Sequence, residues 1–223
     1  MKKVTIITVE NQQEGLAAAK YLLYKKVDDQ TLLLLSGGST PKDLYETIAQ
    51  EKKLTAKAVG MVDERKDRSN YKMIMSTGLL DYLKNLKIKF YPMISASYYD
   101  RDIHKLIGSS KNKAAVMGIG ADGHTAGLPA GTQISNLKSQ NYVIDINNFP
   151  GEFRKRVTLT FRALLKMDLL IVLAFGENKK EALEKMFDPS ADSGQEAIEE
   201  IPARFYLRPD IAPKTLLITD QKI

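Results

Sequence analysis

The chain of 223 residues contains two histidines, and His124 stands in a setting suited to acid–base chemistry. The segment Gly118-Ile119-Gly120-Ala121-Asp122-Gly123-His124-Thr125 puts a carboxylate two residues before the imidazole, inside a glycine-rich loop. A carboxylate beside an imidazole selects its tautomer and raises its basicity, as a general base requires. The same segment reads as G-x-G-x-x-G with Asp145 about twenty residues on, the spacing of a dinucleotide fingerprint. That fingerprint has to open a helix, and Gly127, Pro129 and Gly131 would break one here. Asp122 and His124 are therefore read as a catalytic pair. His104 follows YYDRDI in a polar run and reads as a surface residue with no role.

A second cluster suits anions. In Ser36-Gly37-Gly38-Ser39-Thr40-Pro41 an apolar run gives way to a helical stretch. Thr40 is a good N-cap, Pro41 suits the first helical position and Asp43 falls at the third. A capped turn explains Thr40 and Pro41 but not the paired glycines. Gly37 and Gly38 let the backbone approach a ligand, while free N–H groups and the hydroxyls of Ser39 and Thr40 receive an oxyanion. No Gly-Lys-Ser/Thr follows, so this is not a nucleotide P-loop, and neither serine sits in a G-x-S-x-G elbow.

Two further groups carry charge near strand ends. Asp63-Glu64-Arg65 closes the AVGMV run, with Arg68-Ser69-Asn70 after it, and reads equally as a crevice wall or a surface turn. Arg156 begins RVTLTF, and Lys179 lies in the first turn of a helix after DLLIVLAFG. A lysine is disfavoured there by the helix dipole, so a ligand anion rationalises it. Arg162 competes with Arg156 for that task.

These residues need a scaffold, and the apolar pattern supplies one. Strand-length runs at 4–9, 32–36, 58–63, 113–120, 142–146, 156–161, 168–176 and 215–219 alternate with helical stretches at 13–26, 41–51, 69–85 and 177–187. LLLL and LLIVLA do not alternate, so both faces should be covered, as in a parallel sheet between helices. The expectation is one α/β domain over residues 1–223, a single doubly wound, mostly parallel sheet with helices on both faces. Ligands of such folds sit at the carboxyl ends of the strands, where the motifs above fall.

Composition narrows the chemistry. With no cysteine, a disulfide framework, a thiol nucleophile and a thiolate zinc site are all excluded, and two histidines are too few for a three-histidine metal centre. The net charge of +6 comes from scattered lysine pairs rather than a basic block. That pattern points to a solvated surface and an anionic small substrate, with no nucleic-acid partner. The apolar run near the start is too short for a signal peptide, and no run reaches membrane length, so a cytoplasmic protein without a membrane partner is expected.

SGGSTP, then DER with SN after it, then GIGADGHTA, RVTLT, GxxK and IPARFYL (201–207) resemble, in that order, the glucosamine-6-phosphate isomerase/6-phosphogluconolactonase family. The resemblance implies a Rossmann-type three-layer sandwich and a sugar phosphate as ligand, with no cofactor and no metal. It implies metal-independent hydrolysis of 6-phospho-D-glucono-1,5-lactone, in a monomer or small homo-oligomer. Gly37, Gly38, Ser39 and Thr40, with Arg156 and Lys179, would hold the 6-phosphate. His124, oriented by Asp122, would activate water, and Arg65 would stabilise the oxyanion or bind a hydroxyl. The deaminases of the family carry a glutamate shortly after the histidine, whereas here no carboxylate lies between His124 and Asp145. Deaminase-isomerase activity and non-catalytic sugar-phosphate binding stay as alternatives. Two departures from the lactonase pattern leave questions open. The stretch between DER and SN is shorter, which leaves either Arg65 or Arg68 to reach the ligand. A Ser-Leu-Phe-Pro wall is reduced to Gly127-Leu128-Pro129. Asp63 resembles the deaminases' carbon-acid base and has no assigned lactonase task.

Overall fold

The computed structural model describes residues 3–132, 140–188 and 195–223. Their strands form two sheets. The larger has seven parallel strands in the order β1-β10-β9-β6-β2-β3-β5, where β1 is Thr5–Thr8, β2 Thr31–Leu35, β3 Ala58–Met61, β5 Lys89–Tyr91, β6 Asn112–Gly118, β9 Leu169–Ala174 and β10 Thr215–Thr219. Every residue of β2 is buried, and so is β9 beyond its first residue, which is why these runs do not alternate. Helices α1 (Gln12–Lys26), α2 (Lys42–Glu51), α3 (Ser69–Ser76), α4 (Leu79–Asn85), α5 (Ala96–Ser109), α6 (Phe161–Leu165), α7 (Lys180–Phe187) and α8 (Gln195–Glu200) complete the α/β sandwich. Leu16, Ala19 and Leu23 of α1 are buried at the spacing of one helical face. No helix among the described residues is long and apolar enough to cross a membrane.

The second sheet is small and antiparallel. It consists of β4 (Asp63–Arg65), β7 (Val143–Ile146) and β8 (Arg156–Leu159), with β8 in the middle. The DER triplet thus does not close the strand before it. Val62 separates β3 from β4, and the chain leaves the parallel sheet to pair Asp63 with Thr158 and Arg65 with Arg156. The chain's connections diverge at the β2–β6 pair: β3 and β5 extend the sheet on one side, β9 and β10 on the other. In an open parallel sheet the ligand crevice lies at such a switch point, outside the carboxyl ends of its strands. The SGGSTP turn leaves β2 there and the His124 loop leaves β6.

Two sequence expectations change in detail. The stretch 69–85 is two helices broken at Thr77-Gly78, not one. Helix α2 starts at Lys42 with Pro41 at its cap in αR backbone and no side-chain cap, so Thr40 does not act as the N-cap and its hydroxyl is spared for other work. His104 is exposed, as expected, on helix α5, where it stacks on Tyr142 at 3.9 Å and faces Asp100.

Candidate active site

The His124 loop is braced from several directions. Gly120 N–H donates to His124 O at 2.8 Å, and Thr125 bridges back to Ile119 and forward to Leu128. Thr125 Oγ1 donates to Gly118 O at 3.1 Å, which leaves the buried Tyr206 hydroxyl to donate to Thr125 Oγ1 at 2.5 Å. Ala203 N–H reaches Gly123 O at 2.9 Å, so the 202–207 turn holds the loop from outside. Ala126 adopts left-handed backbone (φ 53°), which costs an L residue roughly 1–2 kcal/mol. The bond from Gly127 N–H to Thr158 Oγ1 at 2.8 Å helps to hold it there.

Inside this loop His124 Nδ1 meets Asp122 Oδ1 at 2.5 Å, and Asp122 also accepts from the His124 N–H at 3.2 Å. The hydrogen bond from the imidazole holds the Asp122 carboxyl down to about 2. With Nδ1 engaged, Nε2 is the ring nitrogen left to take a proton. Gly120 has to be glycine because a Cβ there would lie 2.0 Å from His124 Nδ1 and 2.6 Å from Asp122 Oδ1.

Opposite stands the turn after β2. Gly38 has φ +98°, a conformation L side chains rarely adopt, and a Cβ on Gly37 would fall 2.0 Å from Asn70 Cγ. Tyr45, buried beneath the turn, donates its hydroxyl to Ser36 O at 2.9 Å. Asn70 in turn donates to Asp63 O at 3.1 Å and to Asp63 Oδ2 at 3.3 Å. Glu64 accepts from the N–H groups of Arg65, Asn70 and Tyr71, which fixes the start of α3 against β4.

Between the two turns lies a cleft of about 220 Å³. Gly37, Gly38, Ser39, Thr40, Asp63, Arg65, His124, Arg156 and Lys179 all line it, so nine of the ten residues singled out in the sequence come together. The tenth, Asp122, stands behind His124. Arg68 and Arg162 do not line it: Arg68 stacks on Tyr71 at 4.5 Å, and Arg162 lies over Tyr142 at 5.8 Å. The Lys179 side chain enters from a 3₁₀ turn, Glu177–Lys179, one step before α7. Burial pulls its ammonium below the ordinary lysine value. Arg156 is likewise lowered by burial, against the pull of Asp63 at 3.7 Å. Burial raises the Asp63 carboxyl, although Arg156, His124, Arg65 and Asn70 each pull it down. A wall of cations around one buried carboxylate, open to a glycine turn, is built to receive an anion. Among the described residues no group of three or more histidine, aspartate or glutamate side chains is placed to hold a metal ion.

Sequence reasoning assigned no role to Asn70, Phe149, Phe153 or Tyr206. Asn70 and Tyr206 lay inside quoted motifs, SN and IPARFYL, which was the available signal. The two phenylalanines carry no spacing signature.

The sequence model described as glucosamine-6-phosphate isomerases/6-phosphogluconolactonase matches residues 11–212. A 6-phosphogluconolactonase of Nostoc sp. strain PCC 7120 is 30% identical over 216 residues, covering 86% of this chain and 88% of its own length. One from Xylella fastidiosa strain 9a5c is 34% identical over 171 residues, 68% of this chain and 70% of its own. Among solved structures, the 6-phosphogluconolactonase from Trypanosoma cruzi superposes with a TM-score of 0.77 at 23% identity, over 98% of this chain and 95% of its own, a likeness of fold. On the match across its motifs and on these relatives, the chain belongs to the glucosamine-6-phosphate isomerase/6-phosphogluconolactonase family.

Proposed function

We propose that this protein hydrolyses 6-phospho-D-glucono-1,5-lactone to 6-phospho-D-gluconate, the lactone step of the oxidative pentose phosphate pathway, using its own side chains. The observation that carries the reading is the Asp122–His124 pair at 2.5 Å, set in the wall of a cleft lined by Arg65, Arg156 and Lys179. The glycine turn, Ser39, Thr40, Lys179 and Arg156 hold the phosphate dianion, and binding energy spent far from the reacting carbon fixes the lactone in place. His124 Nε2 takes a proton from water as its oxygen attacks the C1 carbonyl. Arg65 stands ready for the charge that develops on the carbonyl oxygen. Collapse breaks the bond from C1 to the ring oxygen, and His124 returns the proton to that oxygen, leaving a hydroxyl and a carboxylic acid that gives its proton to solvent.

Asp63 favours a second reading. It lies in the cleft with its carboxyl raised by burial, as a base for proton transfer at carbon would. The deaminase chemistry of the family also wants a second carboxylate on the histidine, and the described hydrogen bonds to the His124 ring come from Asp122 alone. Supporting features for the rest of the reading are compositional. The absence of cysteine and the dispersed basic charge suit a cytoplasmic protein acting on a small sugar phosphate, as one catalytic domain and as a monomer or small homo-oligomer.

The test is acid release from freshly made 6-phosphogluconolactone, corrected for spontaneous hydrolysis, with chelator present. Wild type is expected to turn over, and His124→Ala to lose about 10²–10⁴-fold, the range of a positioned acid–base group. Saturable 6-phosphogluconate binding without turnover would leave a sugar-phosphate-binding protein. Ammonia release from glucosamine-6-phosphate, lost in Asp63→Asn, would establish the deaminase.

A further inference from the structure

Phe149 and Phe153 lie on the nine residues, 147–155, that join β7 to β8, in a sequence otherwise rich in polar and turn residues (Asn-Asn-Phe-Pro-Gly-Glu-Phe-Arg-Lys). Such a connection normally runs over the surface, yet Phe149 is only 3% exposed. The Arg156 guanidinium carbon sits 3.3 Å from its ring centroid, and the His124 ring meets it at 5.0 Å and 89°. Arg65 lies over Phe153 at 4.4 Å, while Arg156 Nε donates to Phe153 O at 3.4 Å. Arg65 and Arg156 are directly paired across β4 and β8, so their charges repel.

We propose that Phe149 is a positioning residue that fixes His124 and Arg156 in one mutual orientation, and that with Phe153 it forms an aromatic clamp on the two cleft arginines. The physical reason is donor economy. Asp63 stands 3.7 Å from an Arg156 terminal nitrogen, beyond hydrogen-bond distance, so it offsets charge without taking a donor. Apart from Arg156 Nε–H to Phe153 O and Arg65 Nη1–H to Ser69 Oγ at 3.4 Å, the phenyl faces attract the two cations and leave their remaining N–H groups for a ligand. Asp122 holds His124 at one ring nitrogen and Phe149 holds its plane, so the angle between base and cation is set through a single side chain.

The inference rests on the lactonase reading only for its kinetic arm. Fluorinated phenylalanines at position 149 keep the shape and progressively weaken the ring face. The 6-phosphogluconate dissociation constant and the lactone KM are expected to rise stepwise with fluorine number. Phe149→Leu should raise both by about three- to tenfold and lower kcat, the scale of a partly desolvated cation–π contact. Phe153→Leu, which loosens Arg65, should lower kcat and change 6-phosphogluconate binding less than Phe149→Leu does. The Arg156 Nε–H resonance, measured without ligand, should report a rigid group in wild type and a mobile one in Phe149→Leu, with melting temperature as the check on folding. Equal Arg156 rigidity in the two proteins would overturn the clamp, whatever the activity proves to be. A flat fluorine series beside an impaired leucine variant would reduce Phe149 to a space-filler and overturn it equally.

Discussion

The two loops that face each other across the cleft are built on opposite principles. The loop carrying His124 is over-determined: backbone bridges at Thr125, the Tyr206 hydroxyl, Ala203 from the outer turn and Asp122 within it all constrain one imidazole. The SGGSTP turn is anchored at its base by Tyr45 and packed at Gly37, while at Gly38 a side chain would meet nothing within 4 Å. A base has to be held in place before the substrate arrives, because a misplacement of about 1 Å can cost two orders of magnitude in rate. Anion donors do better unsatisfied, since a ligand then supplies the missing partner. In the proposed mechanism the braced loop holds the base and the open one receives the charge.

The sharpest way to break this contrast is to add one methyl group to each side. In Gly120→Ala the new Cβ would displace both His124 and Asp122, so kcat is expected to fall about 100-fold with KM little changed. In Gly38→Ala the methyl enters open space, and the strain of φ +98° remains. That variant should lose roughly 1–2 kcal/mol of stability, seen as a lower melting temperature, and should raise KM more than it lowers kcat. Similar kinetic profiles for the two would erase the distinction. Lys179→Met comes next: losing a charged contact made only with ligand should raise KM about ten- to a hundredfold, the equivalent of roughly 1.5–3 kcal/mol, and leave kcat within threefold.

Much of this was legible in the sequence, for reasons that differ by element. The non-alternating runs of β2 and β9 declared buried parallel strands, and glycine-rich turns after apolar runs marked where a ligand would lie. Asp122 and His124 were readable because two residues of spacing in a tight loop suffices to bring them together. The second sheet was not readable. Arg65 and Arg156 are 91 positions apart, and only the antiparallel register of β4 on β8 sets them side by side. The same register sets Arg65 and Arg156 in the cleft wall, which Arg68 and Arg162 do not line. Helix α5 was missed because its buried residues, Tyr99, Ile103 and Leu106, form a narrow stripe in a polar run. Gly78 splits the 69–85 stretch at a point where apolar period alone predicts continuity.

Two smaller effects refine the account of the stiff loop. Tyr206→Phe removes the donor to Thr125 and leaves the ring in place. A buried neutral hydrogen bond is worth about 0.5–1.5 kcal/mol, so the variant should unfold at lower urea and lose about three- to tenfold in kcat with KM unchanged. A loss of stability alone would show that the outer turn supports the fold without tuning the base.

The smallest effect is in pH dependence. Asp122 titrates at about 2 in the folded protein. An unfolded aspartate titrates near 3.9, so over that interval the unfolded chain binds more protons and stability rises with pH. The contribution from the Asp122–His124 bond is therefore fully present above about pH 4 and is lost as pH falls towards 2. Asp122 is half exposed, so solvent screening keeps the contribution modest. Urea unfolding of wild type and Asp122→Asn between pH 6 and pH 2.5 should give curves separated at the upper end and converging at the lower. Parallel curves would mean that the bond orients His124 for chemistry without stabilising the loop that holds it.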